Sequence, residues 1–443
     1  MSLNRVLGKW MLLFTGYATV VASGFMIGVG GSASVAGPIS SLGYWIFGGL
    51  ATFSTAFVFS ELATMFPKCG GVWEYTKQVF GDDHPFSFMV GWIYWFALLF
   101  GLNVELVSVG IYLNALIPAV PVWAGALLTT VIFAGLNLFG VKFSSIIEAG
   151  FGVILIVSSA MFILLGIRYI NPSLYTNFAP NGVVIPLLKT LPYIVIAFCG
   201  FEIVATLAEE SKNPEKDIPK ALIGAAAFLT IIFGAFATVL FGLMQYQELS
   251  TAAPLIKAGG MIFGGLGTAW LAIQSFSGSL STVNGGVLGQ TRVMYAMARE
   301  GWFSSYFAKV DEKTGTPKGA LFFTTISMVI VSLLPTITPK AWVWAGFLGV
   351  FGYAVVYIIA CGLLIYLRIK RPDLKRPYKA LLYPITPIIG IALYLLAIIF
   401  SGLQIVAVGV TWCVVGIGYY YIFGRRSRKS FLSQIPEKNL TTL

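Results

Sequence analysis

Two acidic residues stand inside long apolar stretches, where a charge is costly unless it serves a site. Glu202 belongs to the stretch PYIVIAFCGFEIVATLAEE, and Glu105 lies in the middle of FGLNVELVSVG. Neither stretch carries a Lys or Arg that could neutralise its carboxylate. A proton or a cationic group of a substrate can do so instead, so we expect both residues to contact a substrate and Glu202 to exchange protons. The alternative for each is a structural carboxyl that is hydrogen-bonded inside the protein.

Small residues interrupt the apolar stretches in two places. The first stretch is interrupted at Ala22-Ser23-Gly24, and a later one at Cys199-Gly200. Where a helix restarts after a break, its first N–H groups and its dipole favour a carboxylate. Where a helix stops, its free carbonyl oxygens favour an ammonium group. One pocket between the two breaks therefore fits a zwitterion, although close helix packing would explain the same small residues.

Further residues complete the predicted substrate site. Polar side chains crowd the apolar stretch 262–298, among them Asn284, and this density favours a cavity wall or an ion site over back-bonding along the helix. Phe198 stands at the second interruption, where we expect its ring to act as a gate. The full predicted substrate-binding set is Ala22, Ser23, Gly24, Phe25, Glu105, Ile196, Ala197, Phe198, Gly200, Glu202 and Asn284.

The composition is that of an all-α integral membrane protein. Of the 443 residues, 58% are hydrophobic and only 10% are charged, with a mean hydropathy of +0.87. A soluble domain needs a far more charged surface. The net charge of +11 lies in short loops between apolar runs, which favours a membrane topology signal over a surface that binds nucleic acid.

Residue counts and motifs exclude several kinds of chemistry. The chain has one histidine, His84, and four scattered cysteines without CxxC spacing, so we expect no metal site, disulfide framework or catalytic triad. The glycine-rich run at residues 28–31 lacks the Gly-Lys-Ser/Thr of a phosphate-binding loop. We therefore expect no cofactor and no enzymatic activity, and any transport must draw on a gradient or on exchange.

Apolar runs separated by Gly and Pro turn signals predict twelve transmembrane helices. Their positions are 10–36, 41–66, 87–117, 122–139, 145–168, 189–209, 219–244, 262–298, 319–336, 341–367, 382–402 and 404–424. With a cytoplasmic N-terminus, 24 of the 28 Lys and Arg lie on the cytoplasmic side, leaving Arg168, Lys189, Lys257 and Lys340 outside. This asymmetry is typical of a multi-pass cell-membrane protein with both termini in the cytoplasm.

The interruptions in the first and sixth predicted spans lie five spans apart. That spacing predicts an inverted five-plus-five repeat, with the site between the two broken helices near the middle of the membrane. Within a single membrane domain of residues 1–443, the first repeat would cover residues 10–168 and the second 189–367. Residues 382–424 would add two further helices.

Motifs around the sixth span, and a few elsewhere, carry a family resemblance. They are Gly200-Phe201-Glu202, Ala205 to Glu210, Lys212-Asn213-Pro214, Asp217-Ile218-Pro219, Ala36-Gly37-Pro38, Glu61-Leu62-Ala63 and Arg371-Pro372-Asp373. With them the chain resembles the amino acid–polyamine–organocation superfamily from about Leu7 to Lys379. The resemblance implies a LeuT-type inverted repeat with broken helices 1 and 6, and transport of amino acids or amines by proton symport or exchange.

The chain departs from that family's pattern at three positions. Ala22 stands where relatives usually have the first glycine of Gly-x-Gly, and Leu155 lies near the place of a lysine that substitutes for a sodium ion in some relatives. Ile196 takes the position at which exchangers of basic amino acids have a Trp. By the same resemblance, Glu105 falls where the substrate side chain is contacted, which would favour an additional positive charge on the substrate.

We therefore predict a secondary transporter of amino acids or related amines, with a cationic amino acid or a polyamine favoured by Glu105. The alternatives are a transporter of neutral amino acids, a channel, and a membrane sensor or subunit that does not transport. The predicted partners are a small-molecule substrate and membrane lipid, without nucleic acid. The sequence leaves the oligomeric state open.

Overall fold

The computed structural model describes residues 3–81, 83–250, 254–333 and 341–433. Within these ranges the fold is all-helical, and the only contact of β type is an isolated bridge between Leu7 and Ser211. Helices satisfy their own backbone N–H and C=O groups, which suits long apolar segments in lipid. The predicted turn at Pro335 and the predicted outer Lys340 lie outside the described residues.

The first part of the described chain, up to Gly166, contains eight α-helices. The first apolar run forms two of them, because the backbone leaves helical geometry between Ala18 and Ser23. A π-helical turn, Tyr44–Gly48, leads into the fourth helix. The eight are α1 Lys9–Ala18, α2 Ser23–Ala36, α3 Ser40–Gly43, α4 Gly49–Met65, α5 Val72–Phe80, α6 Pro85–Leu116, α7 Val122–Asn137 and α8 Val141–Gly166.

Ten α-helices follow in the remainder of the described residues. The sixth predicted span is divided into short pieces, and a long helix near the middle of the chain contains two non-helical residues, Phe263 and Gly264. The ten are α9 Val184–Lys189, α10 Leu191–Phe198, α11 Ile203–Thr206, α12 Pro214–Leu243, α13 Pro254–Arg299, α14 Lys318–Ser332, α15 Ala341–Lys370, α16 Ile385–Phe400, α17 Leu403–Tyr419 and α18 Arg425–Ser433.

Seven helical stretches among the described residues are long and apolar enough to span a membrane. They are Ser23–Met65, Pro85–Asn114, Val141–Tyr169, Pro214–Leu243, Pro254–Arg299, Val343–Lys370 and Leu403–Ser433. Four shorter apolar helices accompany them: Val122–Asn137, Val184–Phe198, Lys318–Ser332 and Ile385–Phe400. These lengths fit an integral membrane protein, while the number of crossings stays a prediction.

Helix α6 has extensive contacts inside the bundle. It packs against α7, α13 and α15, whereas α12 packs against α1 and α4. Helix α10 packs against α2. Because α2 also contacts α6, the beginning of α2 and the end of α10 can meet beside the middle of α6, and this is where the predicted site residues are concentrated.

Candidate functional site

The first helix break lies between α1 and α2. Helix α1 ends at Ala18, Ala22 is extended with φ −147° and ψ −160°, and α2 begins at Ser23. Helix α13 passes very close to this segment, since a methyl group on Gly278 would lie 2.2 Å from the carbonyl oxygen of Val21. A glycine is therefore required in α13 opposite the break.

The carboxylate of Glu105 occupies the N-terminus of α2. Its Oε2 accepts hydrogen bonds from the Ser23 N–H at 3.1 Å and the Ser23 hydroxyl at 2.7 Å, and its Oε1 accepts from the Gly24 N–H at 2.9 Å. The Ser279 hydroxyl of α13 also donates to Oε2, at 2.7 Å. Helix α6 thus supplies, from within the protein, the carboxylate that we expected a substrate to provide at this position.

The second helix break lies between α10 and α11. After α10 ends at Phe198, Gly200 adopts φ +111°, a conformation that costs glycine little and other residues much. The Gly200 N–H donates to Oε2 of Glu202 at 3.0 Å, the Tyr94 hydroxyl donates to Oε1 at 3.3 Å, and the Tyr357 hydroxyl donates to Oε2. This is the hydrogen-bonded arrangement of the structural alternative for Glu202, and its proton-coupling role stays a prediction.

A cavity of about 40 Å³ lies between the two breaks. Four residues of the predicted set line it: Gly24, Glu105, Ile196 and Gly200. A methyl group on Gly24 would lie 3.0 Å from the carbonyl oxygen of Ile196, so the two half-helices approach each other closely there. The N-terminal end of α2 and the C-terminal end of α10 therefore meet at this cavity, beside the Glu105 carboxylate.

The sequence comparisons identify the family. A model of the family described as amino acid permease matches residues 13–421. The chain belongs to the amino acid permease family. This permease is therefore a member of the amino acid–polyamine–organocation superfamily, as the motifs indicated. Its family consists of transporters and not of enzymes, and small-molecule amino acids are the substrates that the family implies.

Three relatives illustrate the range of this permease family. The branched-chain amino acid permease BcaP of Bacillus subtilis is 27% identical, with 97% of this chain and 95% of the relative covered. The serine/threonine exchanger SteT of the same organism is 24% identical over 88% and 89% of the two chains. Cationic amino acid transporter 1 of Arabidopsis thaliana is 28% identical, with 82% of this chain and 63% of the relative covered.

Several predicted site residues of the permease lie away from the cavity between the breaks. Ala22 and Phe25 line a second cavity of about 20 Å³, together with Gln274 and Ser275 of α13. Ala197 is buried near the end of α10. The structure thus brings one group of predicted residues together around Glu105, whereas Ala22, Phe25 and Ala197 lie outside this group.

Phe198 packs into the helix bundle of the permease. Its ring lies 5.1 Å from that of Phe233 and 6.1 Å from that of Tyr44, measured between centroids. A methyl group on Gly48 would lie 2.4 Å from the Phe198 ring, so the ring also fits closely against the residues before α4. It is absent from the lining of the cavity described above, and its gating role stays a prediction.

Asn284 belongs to a separate polar cluster around Glu148. Its Nδ2 donates to Oε2 of Glu148 at 2.7 Å, and the Ser281 hydroxyl donates to Oε1 at 2.5 Å. The Ser144 hydroxyl donates to Oδ1 of Asn284 at 2.7 Å. The cluster links α8 to α13, so the polar side chains of α13 serve mainly to satisfy buried groups of the neighbouring helices.

Glu148 of α8 was not singled out in the sequence, although it is a third acidic residue that is fully buried without a Lys or Arg partner among the described residues. The predicted span began at residue 145, which placed Glu148 close to the membrane edge, and its partners in α13 lie 133 and 136 residues further along the chain. A local signal was present nonetheless: Ser144, Ser145 and Glu148 share one helix face, which marks a polar stripe in an apolar helix.

Three polar side chains that line the cavity were outside the predicted substrate-binding set, and Thr19, directly after α1, is one of them. Thr282 lines the cavity from α13 and Tyr353 from α15, and a methyl group on Gly200 would lie 3.9 Å from the Tyr353 hydroxyl oxygen. Gly346 and Gly349 also line the cavity. Their spacing with Tyr353 repeats at three to four residues per step, so this face of α15 could have been recognised in the sequence.

Proposed function

We propose that this permease is a secondary active transporter that moves amino acids or related amines across the cell membrane by alternating access. The proposal includes twelve crossings, a LeuT-type inverted repeat of residues 10–168 and 189–367, two additional helices within 382–424, and both termini in the cytoplasm. The observation that carries it is the meeting of two opposed half-helix ends at one cavity.

The two helix ends at the cavity have opposite polarity. Helix α2 begins with N–H groups directed to the site, and α10 ends with carbonyl oxygens. Within the described part of the chain, the only donor to the Ile196 carbonyl is the Cys199 thiol, at 3.7 Å, which is a weak contact. Broken helices with such ends hold small charged solutes and ions in transporters built from inverted repeats.

Contacts between connecting segments support the alternation of the proposed crossings. On the proposed cytoplasmic side, Lys77 pairs with Glu300 at 2.8 Å. On the opposite side, the Asn181 side-chain amide donates to the carbonyl oxygen of Val35 at 2.9 Å. In each case the two segments are separated by an even number of proposed crossings, as two segments on the same side of a membrane must be.

One buried and one half-buried ion pair close the proposed cytoplasmic end of the permease. Arg292 of α13 makes two hydrogen bonds with the Glu210 carboxylate, at 2.9 and 3.0 Å, and Arg299 pairs with Glu209 at 2.9 Å. The Glu210 backbone carbonyl accepts a hydrogen bond from the Leu7 N–H at 3.0 Å. Alternating access requires these contacts between the N-terminal segment, the end of the sixth span and α13 to separate when the cavity opens to the cytoplasm.

The substrate class and the energy source are further parts of the proposal. Relatives named for branched-chain, hydroxylated and cationic amino acids support amino acids or chemically related amines, with neutral amino acids as the alternative to cationic ones. The relative named as an exchanger supports exchange, whereas a buried Glu202 supports proton symport. Because both mechanisms predict counterflow, uptake measured with and without an imposed pH gradient distinguishes them.

Counterflow in proteoliposomes tests the proposed function. Liposomes that contain the purified permease are loaded with an unlabelled amino acid or amine and diluted into the same compound in labelled form. We expect transient accumulation of label for at least one compound of a panel of amino acids, amines and polyamines. A leak of label that ignores the internal solute would indicate a channel, and no flux for the whole panel at acidic and neutral pH would favour a sensor or subunit.

The proton-coupling role of Glu202 has its own test. We expect Glu202→Gln to remove the pH dependence of uptake, because the amide does not titrate, while the matched variant Glu148→Gln retains it. Uptake is measured from acidic to neutral pH with and without an imposed pH gradient. A pH profile of Glu202→Gln that matches the unmodified permease would contradict the role and leave Glu202 as part of the turn at the second break.

A further inference from the structure

The geometry points to an amine that lacks a carboxylate as the substrate of the cavity between the two breaks. Amino acid recognition at a helix break needs donors for the carboxylate and acceptors for the ammonium group. In this permease the carboxylate half of that recognition is filled by Glu105. The inference rests on the proposed transport function and names the substrate class of the same site.

The donors at the beginning of α2 are already engaged. The N–H groups of Ser23 and Gly24 donate to Glu105, and the Phe25 N–H donates to the carbonyl oxygen of Ala22 at 3.2 Å. The Ser23 hydroxyl donates to Glu105 as well. A substrate carboxylate would have to displace a buried carboxylate that carries four hydrogen bonds, which is a large cost.

The charge of the cavity also opposes a second carboxylate. Glu105 lines the cavity, and none of the described residues that line it is a Lys or Arg. Two carboxylates in one buried site repel each other strongly because the surroundings have a low dielectric constant. A single cation in the same place would instead neutralise Glu105.

Two oxygen acceptors converge beside Gly24 and provide a place for that cation. A methyl group on Gly24 would lie 3.0 Å from the carbonyl oxygen of Ile196 and 3.6 Å from Oε1 of Glu105. Oε1 accepts one hydrogen bond whereas Oε2 accepts three, so Oε1 retains an unused lone pair. An ammonium group, which has three donors and no acceptor, matches this pair of oxygens.

The other residues that line the cavity determine which kind of tail the amine can carry. Besides Glu105, the polar side chains are Thr19, Thr282 and Tyr353, and the aliphatic ones are Val20, Leu98, Leu102, Val104, Ile196, Ile203 and Val350. The volume of about 40 Å³ has room for roughly three water molecules. The lining therefore fits a compact primary amine with an apolar tail, and a larger amine requires the cavity to widen.

Matched pairs of ligands test this inference on the full-length permease. Each pair consists of an amino acid and the amine that corresponds to it without the carboxylate: leucine with 3-methylbutylamine, phenylalanine with phenethylamine, and lysine with cadaverine. Thermal stabilisation of the purified protein reports binding by mass action, and counterflow reports transport. We expect at least one amine to bind about tenfold or more tightly than its parent amino acid, since only the amino acid must displace Glu105.

A variant of Glu105 should reverse this preference. In Glu105→Ala the N–H groups of Ser23 and Gly24 become available, so we expect the amine to lose affinity and the parent amino acid to gain it, a reversal of about tenfold or more. Glu148→Gln alters another buried carboxylate and should keep the original preference. If Glu105→Ala does not fold, the ligand pairs on the unmodified permease decide by themselves.

The outcomes separate this inference from the proposed function. Tighter binding and counterflow of the amino acids, without the amines, would overturn the inference and leave the transport function standing. Equal affinity within every pair would overturn it as well, since an anion site that Glu105 already occupies should bind the amine more tightly than the amino acid. If neither member of any pair binds or exchanges, and no other compound of the wider panel does, the proposed function fails together with the inference.

Discussion

The two helix breaks of the permease satisfy their free N–H groups in different ways. At the second break the Gly200 N–H donates to Glu202, which lies two residues away. At the first break the Ser23 N–H donates to Glu105, which lies 82 residues further along the chain on another helix. The second break is therefore a local turn with its own carboxylate, whereas the first is completed only by the position of α6.

Because of this difference, we expect the two breaks to respond differently when the helices move. The Glu202 turn can move as one unit with α10 and α11, because its backbone donor belongs to the same segment. The Glu105 contact depends on the distance between α2 and α6, so a relative shift of these helices would release the N-terminus of α2. A break that is completed from outside can respond to helix movement, and one that is completed locally resists it.

The largest effect is expected from glycine substitutions at the two breaks. Gly200→Ala places a side chain at φ +111°, a backbone conformation that costs residues other than glycine about 1–3 kcal/mol, and it also disturbs the hydrogen bond from the Gly200 N–H to Glu202. We expect transport to be lost and the melting temperature in detergent to fall. Gly362→Ala is the control, since a methyl group there meets no atom within 4 Å and should leave both measurements unchanged or raise stability slightly.

The corresponding variant at the first break, Gly24→Ala, tests the comparison further. Gly24 is helical, so Gly24→Ala introduces little backbone strain, and its methyl group enters the space between Ile196 and Glu105. We expect substrate affinity to fall about tenfold or more with a smaller loss of stability than in Gly200→Ala. Equal losses of stability in the two variants would contradict this distinction, in which Gly200 is required for its backbone conformation and Gly24 for the space beside it.

Removal of single hydroxyl groups should lower the stability of the permease to an intermediate extent. Tyr357→Phe removes the hydroxyl that donates to Glu202 and lies 3.2 Å from the Gly200 N–H, and should lower the free energy of unfolding by about 2 kcal/mol. Ser279→Ala removes one of three donors to Oε2 of Glu105 and should cost about 1 kcal/mol. Denaturation of both variants under the same conditions checks the order, and a larger loss in Ser279→Ala would reverse it.

The smallest effect is expected from Tyr94→Phe. Its hydroxyl donates to Glu202 over 3.3 Å, a long bond, so its removal should cost less than about 0.5 kcal/mol. The double variant with Tyr357→Phe measures whether the two hydroxyls share their effect on the carboxylate. A loss in Tyr94→Phe as large as that in Tyr357→Phe would mean that Glu202 depends on α6 as much as on α15, which would make the second break less local.

The features that could be predicted from the sequence are the local ones. Apolar runs with Gly and Pro between them gave the long helices, because helix length and turn chemistry depend on neighbouring residues. The break near Gly200 and the acidic residue beside it were visible for the same reason. The family motifs lie in the same segments, and the family model confirmed their interpretation.

The features that escaped prediction depend on contacts between distant segments. Glu105 was expected to contact the substrate side chain, yet its partners in α2 could be identified only once α6 and α2 were placed side by side. Glu148 was missed because its donors come from α13. Phe198 was singled out by its place at the break, whereas the direction of its ring depends on how α10 packs against its neighbours.

The origin of the Glu105 contact also sets an order of events during biosynthesis. When α2 first leaves the ribosome, the carboxylate that completes its N-terminus has yet to be synthesised, because it lies 82 residues behind Ser23. Until α6 is inserted, the N–H groups of Ser23 and Gly24 lack that acceptor, and an unsatisfied backbone group in lipid costs several kcal/mol. The first half-helix pair can therefore reach its final geometry only after α6 has entered the membrane beside it.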